Sequence, residues 1–307
     1  MQIIQQTTEF YIEQKTAVAL GKFDGIHRGH QKLLEKILEQ KKEGLKAVVF
    51  TFEPSPTAFF QKCKSKELST KQEKEAVFEK MGIDILIEFP LNEQTAAMDA
   101  QDFVKEILVK RMNAGYVAAG TDLSFGYRGA GNAKLLTELS QNHGFRVEII
   151  EKVCYEGREI SSSYIREEIE KGEMETAAAL IGSPYAIAGV VKHGNRIGRT
   201  LGFPTVNLLP EEEKLLPPCG VYFSKVLIEK EVYKGVTNIG YKPTVSKEMQ
   251  LGVETFIYDF EQDIYGKEIQ VVLEHFRRPE RKFDSLEQLK TQVDEDKEAG
   301  KQYHKKK

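Results

Sequence analysis

Two histidines three residues apart, His27 and His30, close a glycine-bearing turn, Gly21-Lys-Phe-Asp-Gly-Ile-His27-Arg-Gly29-His30. Imidazoles aimed at a phosphate can stabilise the charge that builds on it under attack. The turn follows an apolar run, Ala17-Val-Ala-Leu20, that reads as a buried strand. It leads into Gln31–Gln40, where Leu33, Leu34, Ile37 and Leu38 recur at helical spacing. Strand, turn and helix in that order set backbone N–H groups and a helix N-terminus against an anion, usually phosphate. Gly21 and Gly25 permit close backbone approach. Phe23 offers an apolar wall, Asp24 lies beside the phosphate turn, and Gly29 sits between the histidines. The plain alternative is a tight turn with surface histidines, and the preceding Gly-x-Phe-Asp-Gly favours the phosphate site.

Further residues suited to chemistry recur along the chain. Ile160-Ser-Ser-Ser-Tyr-Ile-Arg166 opens a helix. Ser162 and Ser163 suit capping, and Arg166, one turn on, has the planar fixed charge to meet phosphate oxygens. Gly120–Gly131 is glycine-rich, with Asp122 and Arg128 as the groups expected to face a ligand. Thr51-Phe-Glu-Pro-Ser-Pro56 reads as a stiff structural turn. In His193–Asn207, Gly194 and Gly198 flank a loop able to wrap phosphates, and Arg199 lies within it. Thr205 and Asn207, two apart, face one way on an extended strand. Both offer neutral oxygens of the kind Mg²⁺ accepts. Glu254 is expected to head a strand whose alternating partners are Phe256, Tyr258 and Phe260. A carboxylate there belongs to the solvent edge or to a site.

Two kinds of element must position these groups. Strands are expected at Thr16–Leu20, Ala47–Phe52, Ile83–Phe89, Val117–Gly120 and Val147–Ile150. Helices are expected at Lys71–Met81, Ala100–Arg111 and Lys134–His143. Their alternation predicts an α/β domain with a parallel sheet covered on both faces. Ligands then bind beyond the strand carboxyl ends, where His27, the Glu53–Pro56 turn and the Thr121–Asn132 loop should share one rim. Near Ser183-Pro184 the period changes. Runs at Tyr185–Lys192, Val221–Glu229, Val232–Ile239, Glu254–Phe260 and Ile269–Phe276 predict an antiparallel barrel. A helix over Ser285–Lys301 follows, with Leu286, Leu289 and Val293 on one face. The expected domains are 1–183 and 184–307.

The 307 residues fit about two domains at ~150 residues each. The apolar share of 40% and charged share of 30% supply two ordinary cores. A net charge of −3 argues against a general nucleic-acid binder. Cys63, Cys154 and Cys219 show no pairing or ligand spacing and fit a reducing cytoplasm. No signal peptide and no run near the ~18 apolar residues of a membrane helix is visible. Oligomeric state is left open.

Taken together, these residues resemble the bacterial bifunctional riboflavin kinase / FAD synthetase family over about 15–296. The first half resembles its FMN adenylyltransferase through Gly21–His30, Thr51–Pro56, Gly120–Gly131 and Ser161–Arg166. The second resembles its riboflavin kinase through Gly194–Asn207, Gly220-Val-Tyr222, Asn238–Thr244, Glu254, Asp263–Gly266 and Arg277…Phe283. The resemblance implies a Rossmann-like nucleotidyltransferase domain and a six-stranded kinase barrel with a C-terminal helix. It implies that His27, His30, Ser162 and Arg166 serve adenylyl transfer, that Thr205 and Asn207 bind Mg-ATP, and that Glu254 is the kinase base. Asp122, Arg128 and Arg277 become expected flavin contacts; riboflavin, FMN, FAD and ATP become substrates or products. Ser55, Ser163, Tyr164 and Leu123 depart from the family's usual His, Thr, Arg and Phe.

The two nucleophiles explain why the halves differ. A ribityl hydroxyl is a poor nucleophile at neutral pH and gains from a general base. FMN brings an ionised phosphate, which needs positioning and charge stabilisation only. Two rival readings remain: one silent half, or a flavin-binding regulator without turnover. The intact His27, His30, Asn207 and Glu254 favour catalysis.

Overall fold

The computed structural model describes residues 1–61, 66–193, 203–243 and 249–306. It divides into two compact units, Met1–Ser162 and Ser163–Lys307.

The first unit is a six-stranded sheet with every neighbouring pair parallel. Its strands are β1 (Gln2–Gln5), β2 (Thr16–Leu20), β3 (Lys46–Glu53), β4 (Ile85–Pro90), β5 (Ala114–Gly120) and β6 (Arg146–Ile150). Their spatial order is β1-β4-β3-β2-β5-β6. Alternate residues of the central strands feed two cores. Val18, Leu20, Val48 and Phe50 point to one, and Ala17, Ala19, Ala47 and Val49 to the other. That is why these strands read as unbroken apolar runs. β1 was not expected: Gln-Ile-Ile-Gln is short and mostly exposed, and it is a strand because β4 offers it a parallel edge.

Helices α1 (Arg28–Glu39), α2 (Pro56–Gln61), α3 (Lys71–Met81) and α4 (Ala133–His143) cover this unit. α1 buries Leu33, Leu34 and Ile37. α3 starts on a Thr70–Glu73 capping box and stops at Gly82 with φ +86°. The helix expected over Ala100–Arg111 is one α-turn, Ala100–Asp102, continuing as a π-helix through Phe103–Arg111. The wider turn seats Phe103, Val104, Ile107 and Leu108 in the core.

The second unit opens with α5 (Ser162–Lys171) and α6 (Met174–Ile181), the first residue of α5 belonging to the first unit. A closed antiparallel barrel follows: β7 (Tyr185–Lys192), β8 (Thr205–Leu208), β9 (Gly220–Ile228), β10 (Glu231–Pro243), β11 (Met249–Ile257) and β12 (Glu268–Pro279). The strand order is β7-β8-β11-β10-β9-β12, closing back on β7. α7 (Leu286–Lys306) completes the chain. Ser224, Thr237 and Thr255 are buried and joined by two hydrogen bonds of 2.8 Å, marking the barrel's inner face. The alternate residues Val221, Phe223 and Val236 face outward, and Ala299 and Tyr303 of α7 pack on them.

Glu254 does not head its strand. β11 starts at Met249, and Asn238 of β10 is paired with Glu254. Tyr258 and Phe260 lie past the strand end, where Asp259 turns the chain with φ +51°.

Candidate active sites

The first site forms where β2 ends and α1 begins. His27 is the N-cap of α1, extended at φ −68° and ψ 172°. Its Nδ1 accepts the backbone N–H of His30 at 3.4 Å. The two imidazoles stack with centroids 3.8 Å apart and planes at 22°. Phe23, itself buried, abuts His30 at 5.1 Å between centroids. Nδ1 of His30 is buried and has no hydrogen-bond partner among the described residues. The turn needs its glycine: Gly25 has φ +80°, and a Cβ there would meet Leu68 Cδ1 at 2.7 Å.

Burial pushes the His27 pKa down to about 4, against the pull of Asp122's negative charge. His30 is held well below the ordinary imidazole range, first by burial and then by His27. Both rings are therefore neutral at pH 7. With Nδ1 of His27 occupied as an acceptor, its proton sits on Nε2 as a donor. A polyphosphate's negative charge would oppose the depression and strengthen that donor.

The other expected residues are placed as follows. Gly21 follows β2 directly, and Gly29 lies in the first turn of α1. Asp24 braces the loop: its Oδ1 accepts the N–H groups of Leu68 at 2.9 Å and Ser69 at 3.4 Å. Ser162 Oγ donates to the Asp24 carbonyl at 3.0 Å, joining the start of α5 to the phosphate turn. Ser163 and Arg166 follow on α5, Arg166 one turn from Ser162 on the same helix face. Ser55 Oγ accepts the Ala58 N–H at 3.3 Å and so caps α2. Asp122 is exposed and lies 3.6 Å from Lys152.

Arg128 sits in a tight turn with φ +53°, its guanidinium 5.2 Å from the Tyr127 ring centroid. It also lines an apolar recess with Phe52, Pro56, Phe60, Phe103 and Phe125. Sequence reading missed this recess. Its aromatics come from segments spread between positions 52 and 125, and no spacing links them.

The second site lies on the outer face of the barrel. Cross-strand register puts Asn207, Glu254 and Asn238 in one row over β8, β11 and β10. Directly paired residues point to the same side, and Thr237 and Thr255, their chain neighbours, point inward. Thr205 lies two residues before Asn207 on that outer face, and its Oγ1 donates to Glu254 Oε1 at 2.7 Å. The expected phosphate-loop residues Gly194, Gly198 and Arg199 lie outside the described residues. Arg277 is exposed, with Nε 3.9 Å from Asp296 on α7. The adjoining Arg278 holds the same carboxylate at 2.7 Å. Beyond β12 an open recess of about 590 Å³ lies between Arg281–Phe283 and α7, where Gln288, Thr291 and Glu295 line it.

Two family matches tile the chain. The FAD synthetase family covers residues 10–164 and the riboflavin kinase family residues 181–304. The bifunctional riboflavin kinase/FMN adenylyltransferase of Bacillus subtilis is 36% identical, with 95% of this chain and 93% of that protein covered. The protein of the same name from Escherichia coli is 36% identical over 92% and 91% of the two chains. A solved structure described as a macrolide-efflux protein from Streptococcus pneumoniae has the same fold, with TM-score 0.86 and 32% identity over 97% of this chain. Among the described residues no helix is long and apolar enough to cross a membrane. Both halves are thus matched in order and nearly end to end: the chain belongs to the bifunctional riboflavin kinase/FMN adenylyltransferase family, phosphorylating riboflavin to FMN and adenylylating FMN to FAD.

Proposed function

We propose that the stacked histidines carry adenylyl transfer and that Glu254 carries the kinase reaction. The α-phosphate of ATP meets the N-terminus of α1. The Nε2 proton of His27 and the free ring edge of His30 stabilise the charge of the transition state. Ser162 fixes the turn through Asp24, and Arg166 takes up the leaving pyrophosphate. The aromatic recess beside Arg128 takes the flavin ring of FMN, whose ionised phosphate attacks without a base.

In the barrel, Glu254 accepts the proton of the ribityl primary hydroxyl as that oxygen attacks the γ-phosphate. Thr205 and Asn207 would hold Mg²⁺. The donor set fits a hard cation, because the Thr205 hydroxyl directs its proton to Glu254 and keeps its lone pairs for a ligand. When bound, the ion neutralises phosphate charge. The recess against α7 takes the isoalloxazine ring. The 2.7 Å bond from Thr205 to Glu254, in a row with Asn207, is the observation that carries this reading.

A pair of variants tests it. Glu254→Gln keeps shape and removes the base, so FMN formation should fall ~10²–10⁴-fold while FAD formation from supplied FMN persists. His30→Ala should do the reverse. Chromatography of flavins after incubation with ATP and Mg²⁺ reads both. A kinase rate within a few-fold of the parent in Glu254→Gln would remove Glu254 from the mechanism.

A further inference from the structure

A second carboxylate reaches the residue paired with Glu254, and its chain neighbours do not account for it. Glu280 lies in Arg277-Arg-Pro-Glu-Arg-Lys282, among four cations. Among the described residues it forms an ion pair with none of them. Arg278 is committed to Asp296 through Nε and Nη2 at 2.7–3.2 Å. Arg281 lies over the Phe283 ring at 4.9 Å. Glu280 turns instead to the barrel wall, where its Oε1 accepts the Asn238 side-chain amide at 3.1 Å. Asn238 is the residue paired with Glu254 across β10 and β11.

The wall is cut away to admit this carboxylate. A Cβ on Gly240 would lie 1.9 Å from Glu280 Oε1 and 2.9 Å from Oε2. Gly240 is paired with Gly252 of β11. The outer-face row next to Glu254 and Asn238 therefore has no side chain on either strand. It forms a bare ledge with Glu254 at one end, one strand spacing of ~4.8 Å from Asn238, and Glu280 laid over it. The recess against α7 begins at the next residue, Arg281.

A substrate with its ring in that recess and its terminal hydroxyl at Glu254 lays its connecting chain over this ledge. In riboflavin that chain is a neutral polyol. We propose that Glu280 is a substrate-positioning residue of the kinase, its carboxylate accepting hydrogen bonds from secondary hydroxyls of the ribityl chain and so delivering the primary hydroxyl to Glu254. An ionised carboxyl has about four acceptor positions, and Asn238 uses one. Its charge also repels triphosphate, which reserves the ledge for the neutral substrate and leaves ATP the Thr205 side. The inference rests on Glu254 marking the kinase site.

Glu280→Gln in the full chain is the test, with riboflavin varied at saturating Mg-ATP. The side chain is exposed, and an unshifted melting temperature of the kinase barrel in the same preparation reports an intact fold. Riboflavin KM should rise about 10-fold or more, as for one lost charge-assisted hydrogen bond, with kcat reduced less. Lumiflavin, the ring without the ribityl chain, should inhibit parent and variant kinase with the same Ki. Among 2′-, 3′- and 4′-deoxyriboflavin, at least one should show a raised KM with the parent and no further rise with the variant. An unchanged riboflavin KM, a lumiflavin Ki that rises in parallel, or additive effects of variant and every deoxy analogue would each overturn the role. Loss of kinase activity in Glu254→Gln with an unchanged KM in Glu280→Gln would sink this inference alone. Full activity in Glu254→Gln would sink the site assignment beneath it.

Discussion

At the scale of single residues, His27 holds two offices that require the same neutral tautomer. It caps α1 through Nδ1, and it presents Nε2–H at the phosphate turn. A proton on Nδ1 would break the cap. Burial lowers its pKa in the folded state to about 4, from 6.5. The linkage sign follows: the unfolded chain binds this proton first as pH falls. The contribution to stability is complete above pH 6.5 and is lost on acidification from there towards pH 4. At pH 5 the loss from this group is roughly 2 kcal/mol. His27→Asn keeps a capping acceptor and removes the titration. Thermal unfolding of the first domain, followed by circular dichroism at pH 7.5 and 5.0, should show a smaller acid drop in Tm for the variant. Equal drops would mean that the lowered pKa has no weight in the fold. Ser55 shows the same economy: a short hydroxyl there caps α2.

Among the elements, the pairing of β10 with β11 does most to organise chemistry. One register places Asn238 beside Glu254 and Gly240 beside Gly252. A one-residue slip of β10 would turn Asn238 and Gly240 inward. The inner hydroxyl ladder of Ser224, Thr237 and Thr255 opposes such a slip, since moving it outward would break two buried hydrogen bonds. Gly240→Ala tests the ledge without touching Glu280 itself. The three atoms nearest its new Cβ all belong to the Glu280 carboxylate, so the strand can remain and that carboxylate must swing away. The variant should keep FMN adenylylation and raise the riboflavin KM as Glu280→Gln does. A parental KM with an unshifted Tm would show that the carboxylate's seat on β10 is immaterial.

For the whole molecule, the open matter is where the kinase begins. The change of period marks residue 184, whereas the second compact unit begins at Ser163. α6 buries Met174, Ala177 and Leu180 and packs on β7 and β12. Its Glu175 Oε1 lies 2.6 Å from His275 Nδ1 on β12, and Gly172 lies against Phe276, where a Cβ would sit 3.3 Å from the ring. The catalytic groups all lie after 184, so fragments 163–307 and 184–307 should both phosphorylate riboflavin. Burying two large apolar side chains such as Met174 and Leu180 is worth roughly 1.5–3 kcal/mol each, so the shorter fragment should melt several degrees lower. Equal melting temperatures would return the boundary to 184.

The sequence by itself determined what is local. Glycine turns, helical spacing and apolar runs gave β2 through α1 and the span of α3, because each is set by neighbours a few residues away. The motifs Gly21–His30 and Thr205–Asn207 carried the family for the same reason. The tertiary structure alone decided what depends on register and on burial. Glu254 was legible as a residue but not as the middle of a row with Asn207 and Asn238, since pairing joins positions 47 and 16 apart in the chain. β1 became a strand only because β4 left an edge beside it. The aromatic recess near Arg128 and the carboxylate seat on Gly240 had no spacing to betray them. Each is made by segments that meet only after folding, where distance in the chain no longer limits contact.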